Sequence, residues 1–151
     1  MMIKRVKTQE ELDQCLRIRM EVFVNEQKVP ADEELDEFDV SPQACGHMLA
    51  LADGTACGTA RWRFYGEETP EGRTVKLQRV AVLADWRGKG VGRELILAME
   101  KEAREAGAAF TLLDGQCQAE PFYKKLGYET ISTEPFYDAG ILHVRMRKRL
   151  G

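Results

Sequence analysis

Histidine is scarce in this chain, two in 151 residues, and the four cysteines (Cys15, Cys45, Cys57, Cys117) share no C-x-x-C spacing. A zinc site needs clustered ligands of these types, so no metal is expected. The cysteines read as reduced, mostly buried thiols of a reducing compartment. No segment reaches the ~18 apolar residues of a membrane span, and the opening MMIKRVKTQEEL lacks the apolar stretch of a secretory signal. Positive charge is not in excess: 22 Lys and Arg face 25 Asp and Glu, a net charge of −3. Nonspecific nucleic-acid binding asks for a basic face. The terminal RMRKRL is basic but short, and its alternation with Val144 and Met146 reads as the solvated face of a last strand. The expectation is a soluble cytoplasmic protein with no metal, no membrane and no nucleic-acid partner.

What is present is enough chain for one domain over residues 1–151, long enough to bury roughly 70% of its unfolded surface. MIKRV alternates weakly, as a strand does. Thr8 stands three residues before Glu11, the capping-box spacing, and Leu12, Leu16, Met20 and Phe23 follow at near-helical intervals, predicting a helix over 8–24. From Glu26 to Asp39 the chain carries seven acids against one lysine and reads as a long, partly ordered loop or short helix. CGHMLALADGTACGTARWRFY is a hairpin about Asp53-Gly54, a dipeptide that tolerates the positive φ of a tight turn. GEETPEGRT is read as a polar connection to the strand VKLQRVAVL. A helix follows with Val91, Leu95, Met99 and Ala103 on one face, then the strand AFTLLDGQ. AEPFYKKLGY is a short helix closed at Gly127, and the tail supplies two more strands. Mixed α/β structure in a single sheet is the architecture this order implies.

DWRGKGVGRELI, residues 85–96, places Gly88, Gly90 and Gly92 directly before the amphipathic helix. A helix start carries backbone N–H groups without intrahelical partners and the positive end of the dipole. Removing side chains there lets an anion approach those donors, and phosphate is the usual guest. Arg87 and Lys89 add positive charge at the mouth. A dinucleotide fingerprint G-x-G-x-x-G fails at Arg93 or Leu95, and no G-x-x-x-x-G-K-[ST] string exists, so the two common nucleotide loops are excluded.

Arg87-x-x-Gly90-x-Gly92, between a strand and a long helix, resembles the acetyl-CoA pyrophosphate loop of the GNAT superfamily of N-acetyltransferases. LQRVAVLADWRGKGVGRELI is similar to that family's strand-loop-helix core. QAEPFYKKLGY, counted from Gln116, resembles its second signature, N-x-x-A-x-x-x-Y-x-x-x-G-[FY], with Gln116 in place of the usual Asn. VFVNEQKVPADEELDEFD and DAGILHVRM resemble the small bacterial ElaA-like (YjcF-like) branch. The fold so implied is the GNAT (acyl-CoA N-acyltransferase) fold, α/β (α+β), with a single mixed, mostly antiparallel central sheet flanked by helices.

By this resemblance Val80, Ala81 and Val82 pair through their backbone with the pantetheine arm. The amides of Gly88, Lys89, Gly90, Val91 and Gly92, with Arg87 and Gln116, hold the rest of acetyl-CoA. Tyr123 matches the tyrosine beside the sulfur, a phenol able to give a proton to the departing thiolate. An amine attacks the thioester directly, and backbone N–H groups near Val82 meet the oxyanion. An amine of pKa ~10.4 is only ~0.1% neutral at pH 7.4, so a base is needed. Several family members use a carboxylate on the core strand; Gln78 stands there and cannot serve. Glu26, Glu34, Asp36, His47 and His143 remain as candidates. His143 has the chemistry of a base near neutrality, and Glu26, Glu34 and Asp36 could equally bind a cationic acceptor. The implied acceptor is a small-molecule or peptide primary amine, and family members are often homodimers. The alternative is a catalytically inactive acyl-CoA-binding regulatory module.

Overall fold

The computed structural model describes residues 1–151. Its eight strands are β1 (Met2–Arg5), β2 (Gly46–Ala52), β3 (Thr55–Thr69), β4 (Gly72–Val82), β5 (Ala108–Gln116), β6 (Glu129–Thr130), β7 (Phe136–Asp138) and β8 (Ile141–Arg149). They form one mixed sheet in the order β1-β2-β3-β4-β5-β8-β6, with β7 also paired to β8. The helices are α1 (Gln9–Arg19), α2 (Ala31–Glu34), α3 (Val91–Glu105) and α4 (Glu120–Lys125). No helix is long and apolar enough to cross a membrane. The chain divides into two compact units, one of Met1–Trp62 with Arg79–Met99, the other of Arg63–Gln78 with Glu100–Gly151.

In the first unit, β1 and β2 pair antiparallel from Met2↔Leu51 to Arg5↔Met48, and β2 pairs β3 from Gly46↔Trp62 to Ala52↔Thr55. The turn between β2 and β3 holds Asp53 at φ 51° and Gly54 at φ 80°, the left-handed pair that suits a two-residue hairpin. α1 opens on the expected capping box: the Glu11 amide donates to Thr8 Oγ1 at 3.2 Å, and the Thr8 amide to Glu11 Oε1 at 3.2 Å. Lys4 also pairs with the Glu11 carboxylate.

The helix departs from the expected 8–24 span. It is α-helical only to Arg19 and continues as a π-helical segment over Met20–Glu26, whose Val22 carbonyl accepts from Gln27 at 3.1 Å. Leu12, Cys15 and Ile18 of α1 and Val22 of the π-helical segment enter the core with Val6, Leu49 and Ala81, while Leu16 and Phe23 are only partly covered. π-Helical insertions of this kind recur at functional sites.

In the second unit, β4 runs parallel to β5 from Arg73↔Ala108 to Leu77↔Leu113. β8 is antiparallel to β5, from Phe110↔Arg149 to Gln116↔His143. The segment read as a polar connection, GEETPEGRT, is mostly strand: β3 runs to Thr69 and β4 begins at Gly72. Its polar residues are tolerated because those strand ends are largely exposed. The tail supplies the two expected strands and a third, the two-residue β6. A buried polar network braces this unit. The Tyr128 hydroxyl donates to Glu100 Oε2 at 2.7 Å and lies 2.9 Å from Thr111 Oγ1, while Lys148 Nζ is 3.0 Å from Glu100 Oε1. Along α3, Val91, Leu95, Met99 and Ala103 are all buried, as their spacing predicts.

Candidate active site

In the first unit β4 ends in Val80–Val82, and the chain passes through a short 3-10 turn, Ala84–Trp86, into the glycine loop and α3. Gly88 (φ 74°) and Gly90 (φ 85°) adopt left-handed backbone conformations. A Cβ built on either would meet no atom within 4 Å. The bareness of the loop therefore answers to its backbone conformation and to open space on its outer side, not to crowding within the protein. The Glu94 amide is the first to bond back, to the Gly90 carbonyl at 3.0 Å. The amides before it are the orphan donors of a helix start. Gly92 is the second residue of α3.

The two cations of the loop do not extend freely. Arg87 Nε donates to the Val82 carbonyl at 2.9 Å, and its Nη2 lies 2.9 Å from both carboxylate oxygens of Glu26. Lys89 Nζ sits 5.2 Å from the centre of the Trp86 ring. Arg87 thus ties the loop to the end of β4 and to the π-helical segment, and Glu26 is its counter-ion. Beyond Val82, the Leu83 amide is taken by the Cys57 carbonyl at 3.0 Å, which removes that amide from the set expected to meet an oxyanion.

The acidic run is where composition and structure differ most. Four of its carboxylates are bound by arginines of the same unit, Glu26 by Arg87 and three others by a cluster of three arginines. Arg19 reaches Glu34 Oε2 through Nε (2.9 Å) and Asp39 through Nη1 and Nη2 (2.7 and 2.9 Å). Arg61 grips Asp36 with two bonds of 2.7 and 2.6 Å and shares Asp39 at 2.9 Å. Arg79 Nε lies 3.1 Å from Glu34 Oε2. Glu34 is buried and Asp36 half-buried. Contrary to the charge-based expectation, Glu34 presents no free charge to an acceptor, because a carboxylate so deeply desolvated must be paired. Asp36 is not a base either: although burial works against it, Arg61 holds its carboxyl below the ordinary range. His47 is not placed to act as a base, being 1% exposed with Nε2 2.8 Å from the Phe38 carbonyl, and burial lowers its pKa.

Sequence reasoning missed Arg79. It has φ 55° inside β4, a left-handed backbone that non-glycine residues adopt at a cost of about 1–3 kcal/mol. Such outliers concentrate at functional sites. No spacing rule signals it, because the strain comes from the strand's three-dimensional course.

In the second unit Tyr123 lies on α4, 9% exposed, with its ring edge-on to those of Phe122 (5.0 Å between centroids) and Tyr128 (6.1 Å). Burial pushes its phenol up to about 12. Gln116 ends β5 opposite His143 and accepts from Gln118 Nε2 at 2.6 Å. His143 Nδ1 lies 2.7 Å from the Ile141 carbonyl, which can only accept, so Nδ1 carries the proton and the Nε2 lone pair faces away from that bond. Its ring stacks on Phe136. No group of three or more His, Cys, Asp or Glu side chains could hold a metal ion.

A family model described as acetyltransferase (GNAT) domain matches residues 7–150. The chain belongs to the GNAT acetyltransferase family. GNAT relatives match it along nearly its whole length. It is 41% identical over 145 residues to YjcF of Bacillus subtilis, named an uncharacterized N-acetyltransferase, covering 94% of this chain and 95% of YjcF. The crystal structure of an acyl-CoA N-acyltransferase from Pseudomonas aeruginosa superposes with a TM-score of 0.76 at 28% identity, covering 97% of each chain. Escherichia coli ElaA shares the GNAT fold, with a TM-score of 0.79 at 23% identity over 97% of this chain and 98% of its own.

Proposed function

We propose that this protein is an acetyl-CoA-dependent N-acetyltransferase that moves an acetyl group to a primary amine by direct attack on the thioester. The observation that carries the reading is the glycine loop. Two left-handed glycines with open space above them precede orphan amides at the start of a fifteen-residue helix. Such a cradle suits a pyrophosphate. Gly88 to Gly92 supply it, Arg87 keeps it tied to Val82, and Val80–Val82 offer strand backbone to the pantetheine arm.

In the reaction the amine nitrogen forms a bond to the thioester carbon, the carbonyl electrons move onto oxygen, and collapse expels the thiolate. His143 Nε2 accepts the proton that the ammonium must lose before attack, and the second N–H proton, released as the amide forms, goes to solvent. Tyr123 acts as a hydrogen-bond donor to the leaving sulfur. With a phenol near 12 against an ordinary thiol of about 8.5, full proton transfer from oxygen to sulfur is uphill. Stabilising the thiolate in place is the role its chemistry suits. Glu26 acts through Arg87 more than on an acceptor. The protein would work in the cytoplasm on a small-molecule or peptide amine, with neither metal nor nucleic acid.

Calorimetric titration with acetyl-CoA, with ATP and NAD as controls, followed by thiol release with an amine panel, tests the reading. Selective binding with turnover supports it. Binding without turnover by any amine would instead make the protein an acyl-CoA-binding module, a reading that Gln78 on the core strand favours. No binding overturns both.

A further inference from the structure

The ionic cluster of the first unit contains three guanidinium groups and three carboxylates, and its arginines are not equivalent. Arg19 and Arg61 have side chains 1% exposed and hold their carboxylates at 2.6–2.9 Å. Arg79 is 25% exposed and is held more loosely, 3.1 Å from Glu34 and 3.6 Å from Asp36. Its Nε and Nη2 also share the Glu34 carbonyl, at 3.4 and 3.2 Å. Those contacts engage one edge of the fork; Nη1 makes none.

Each carboxylate of the cluster has a partner besides Arg79. Glu34 already has Arg19 Nε, Asp36 has both ends of Arg61, and Asp39 has Arg19 and Arg61. Arg79 thus completes the balance of three guanidinium groups against three carboxylates, yet keeps spare donors on its part-exposed edge. Its pKa moves accordingly. Arg19 and Arg61 are raised, whereas Arg79 is lowered, because burial outweighs Glu34 and Asp36 while Arg61 and Arg19 repel it. A desolvated guanidinium in that condition is stabilised by one more anion. It is also the residue with the strained backbone, immediately before Val80–Val82.

We infer that Arg79 binds a carboxylate of the acyl acceptor, so that the acceptor is a primary amine that also carries a carboxylate. This rests on the acetyltransferase reading above. A guanidinium edge takes a carboxylate through charge-assisted hydrogen bonds, two of them when the geometry allows. Asp36, itself 29% exposed, stands 3.6 Å from Arg79. An acceptor carboxylate complements the exposed edge of Arg79, whereas a polyamine would set a cation against it. Glu34 and Asp36 are directed to Arg19 and Arg61, which leaves the outer edge of Arg79 for the incoming anion.

The experiment measures thiol release from acetyl-CoA with the twenty common α-amino acids, their carboxamides and a linear diamine, using wild type, Arg79→Gln and Arg79→Lys. Calorimetric titration with acetyl-CoA is run on each protein. The expected result is a kcat/KM for the preferred amino acid about tenfold or more above that for its amide, the size of one charge-assisted contact. Arg79→Gln then loses the preference through the KM of the amino acid, Arg79→Lys regains part of it, and acetyl-CoA affinity stays unchanged in both. Amides or the diamine turned over as fast as the acids would overturn the inference, as would an unchanged ratio in Arg79→Gln. Acetyl-CoA binding by wild type with no acetylation of any carboxylate-bearing amine overturns it while leaving the cofactor site standing. Failure of wild type to bind acetyl-CoA removes the acetyltransferase reading and the inference with it.

Discussion

The ring of Tyr123 lies against the backbone of β5 at Gly115, so closely that a Cβ there would fall 3.0 Å from both Cδ2 and Cε2. Gly115 is thus a positioning residue for the phenol, with the rings of Phe122 and Tyr128 confining its other sides. In Gly115→Ala the ring must shift. Displacements near 1 Å at a reacting group can cost up to about 10²-fold in rate, so kcat should fall roughly tenfold with the acetyl-CoA KM little changed. The same substitution in a Tyr123→Phe background should cost almost nothing. Additive losses in the double variant would assign Gly115 to general packing.

Tyr123→Phe itself should lower kcat by about 10²-fold, the size of one preorganised hydrogen bond to a developing charge, with acetyl-CoA affinity preserved. Because burial pushes the phenol up to about 12, wild-type kcat should show no tyrosine limb between about pH 7 and 10. Steady-state kinetics across that window decides it. A limb that disappears in Tyr123→Phe would mean the phenol ionises within reach of neutrality.

Gly90→Asp places a side chain and a negative charge on a residue with φ 85°. Losing two charge-assisted hydrogen bonds to a pyrophosphate amounts to about 3 kcal/mol, so acetyl-CoA affinity should fall roughly 100-fold. Calorimetry on a variant shown to be folded by circular dichroism is the measurement. Wild-type affinity would remove the loop from the binding site.

Asp39 is held well below the ordinary carboxylate range by Arg19 and then Arg61, in spite of burial. A depressed folded pKa contributes stability that is complete above the unfolded value, near 3.9, and is lost as pH falls toward the folded value. Acid unfolding should therefore steepen below about pH 4. Asp39→Asn should destabilise the protein by about 3 kcal/mol at neutral pH, because two buried guanidinium groups lose their partner. It should also flatten the acid limb. Urea unfolding at pH 7 and about pH 3.5 measures both effects.

Much of the local structure was legible because its causes are local. Thr8 and Glu11 cap a helix by their spacing, Asp53-Gly54 turns a hairpin by its φ preferences, and Val91, Leu95, Met99 and Ala103 face a core by helical period. The glycine loop was legible for the same reason: its glycines and the helix behind them are contiguous. The extent of β3 and β4 was not, since polar residues at exposed strand ends look like a loop. Nor was the π-helical widening after Arg19, nor the burial of Cys15, Ile18 and Val22 in place of Leu16.

By itself, then, the sequence determined the family, most of the order of elements and the glycine loop ahead of a long helix, all carried by short-range patterns of residue type. Only the tertiary structure decided what the charges do. Arg19, Arg61 and Arg79 are far apart in the chain, yet they enclose Glu34, Asp36 and Asp39. Glu26 finds Arg87 sixty-one residues away. Desolvation and pairing depend on distance in space, which a count of acids along the chain does not contain. That is why a run that reads as free negative charge is, once folded, largely neutralised, and why the one loosely held member of its cluster is a cation.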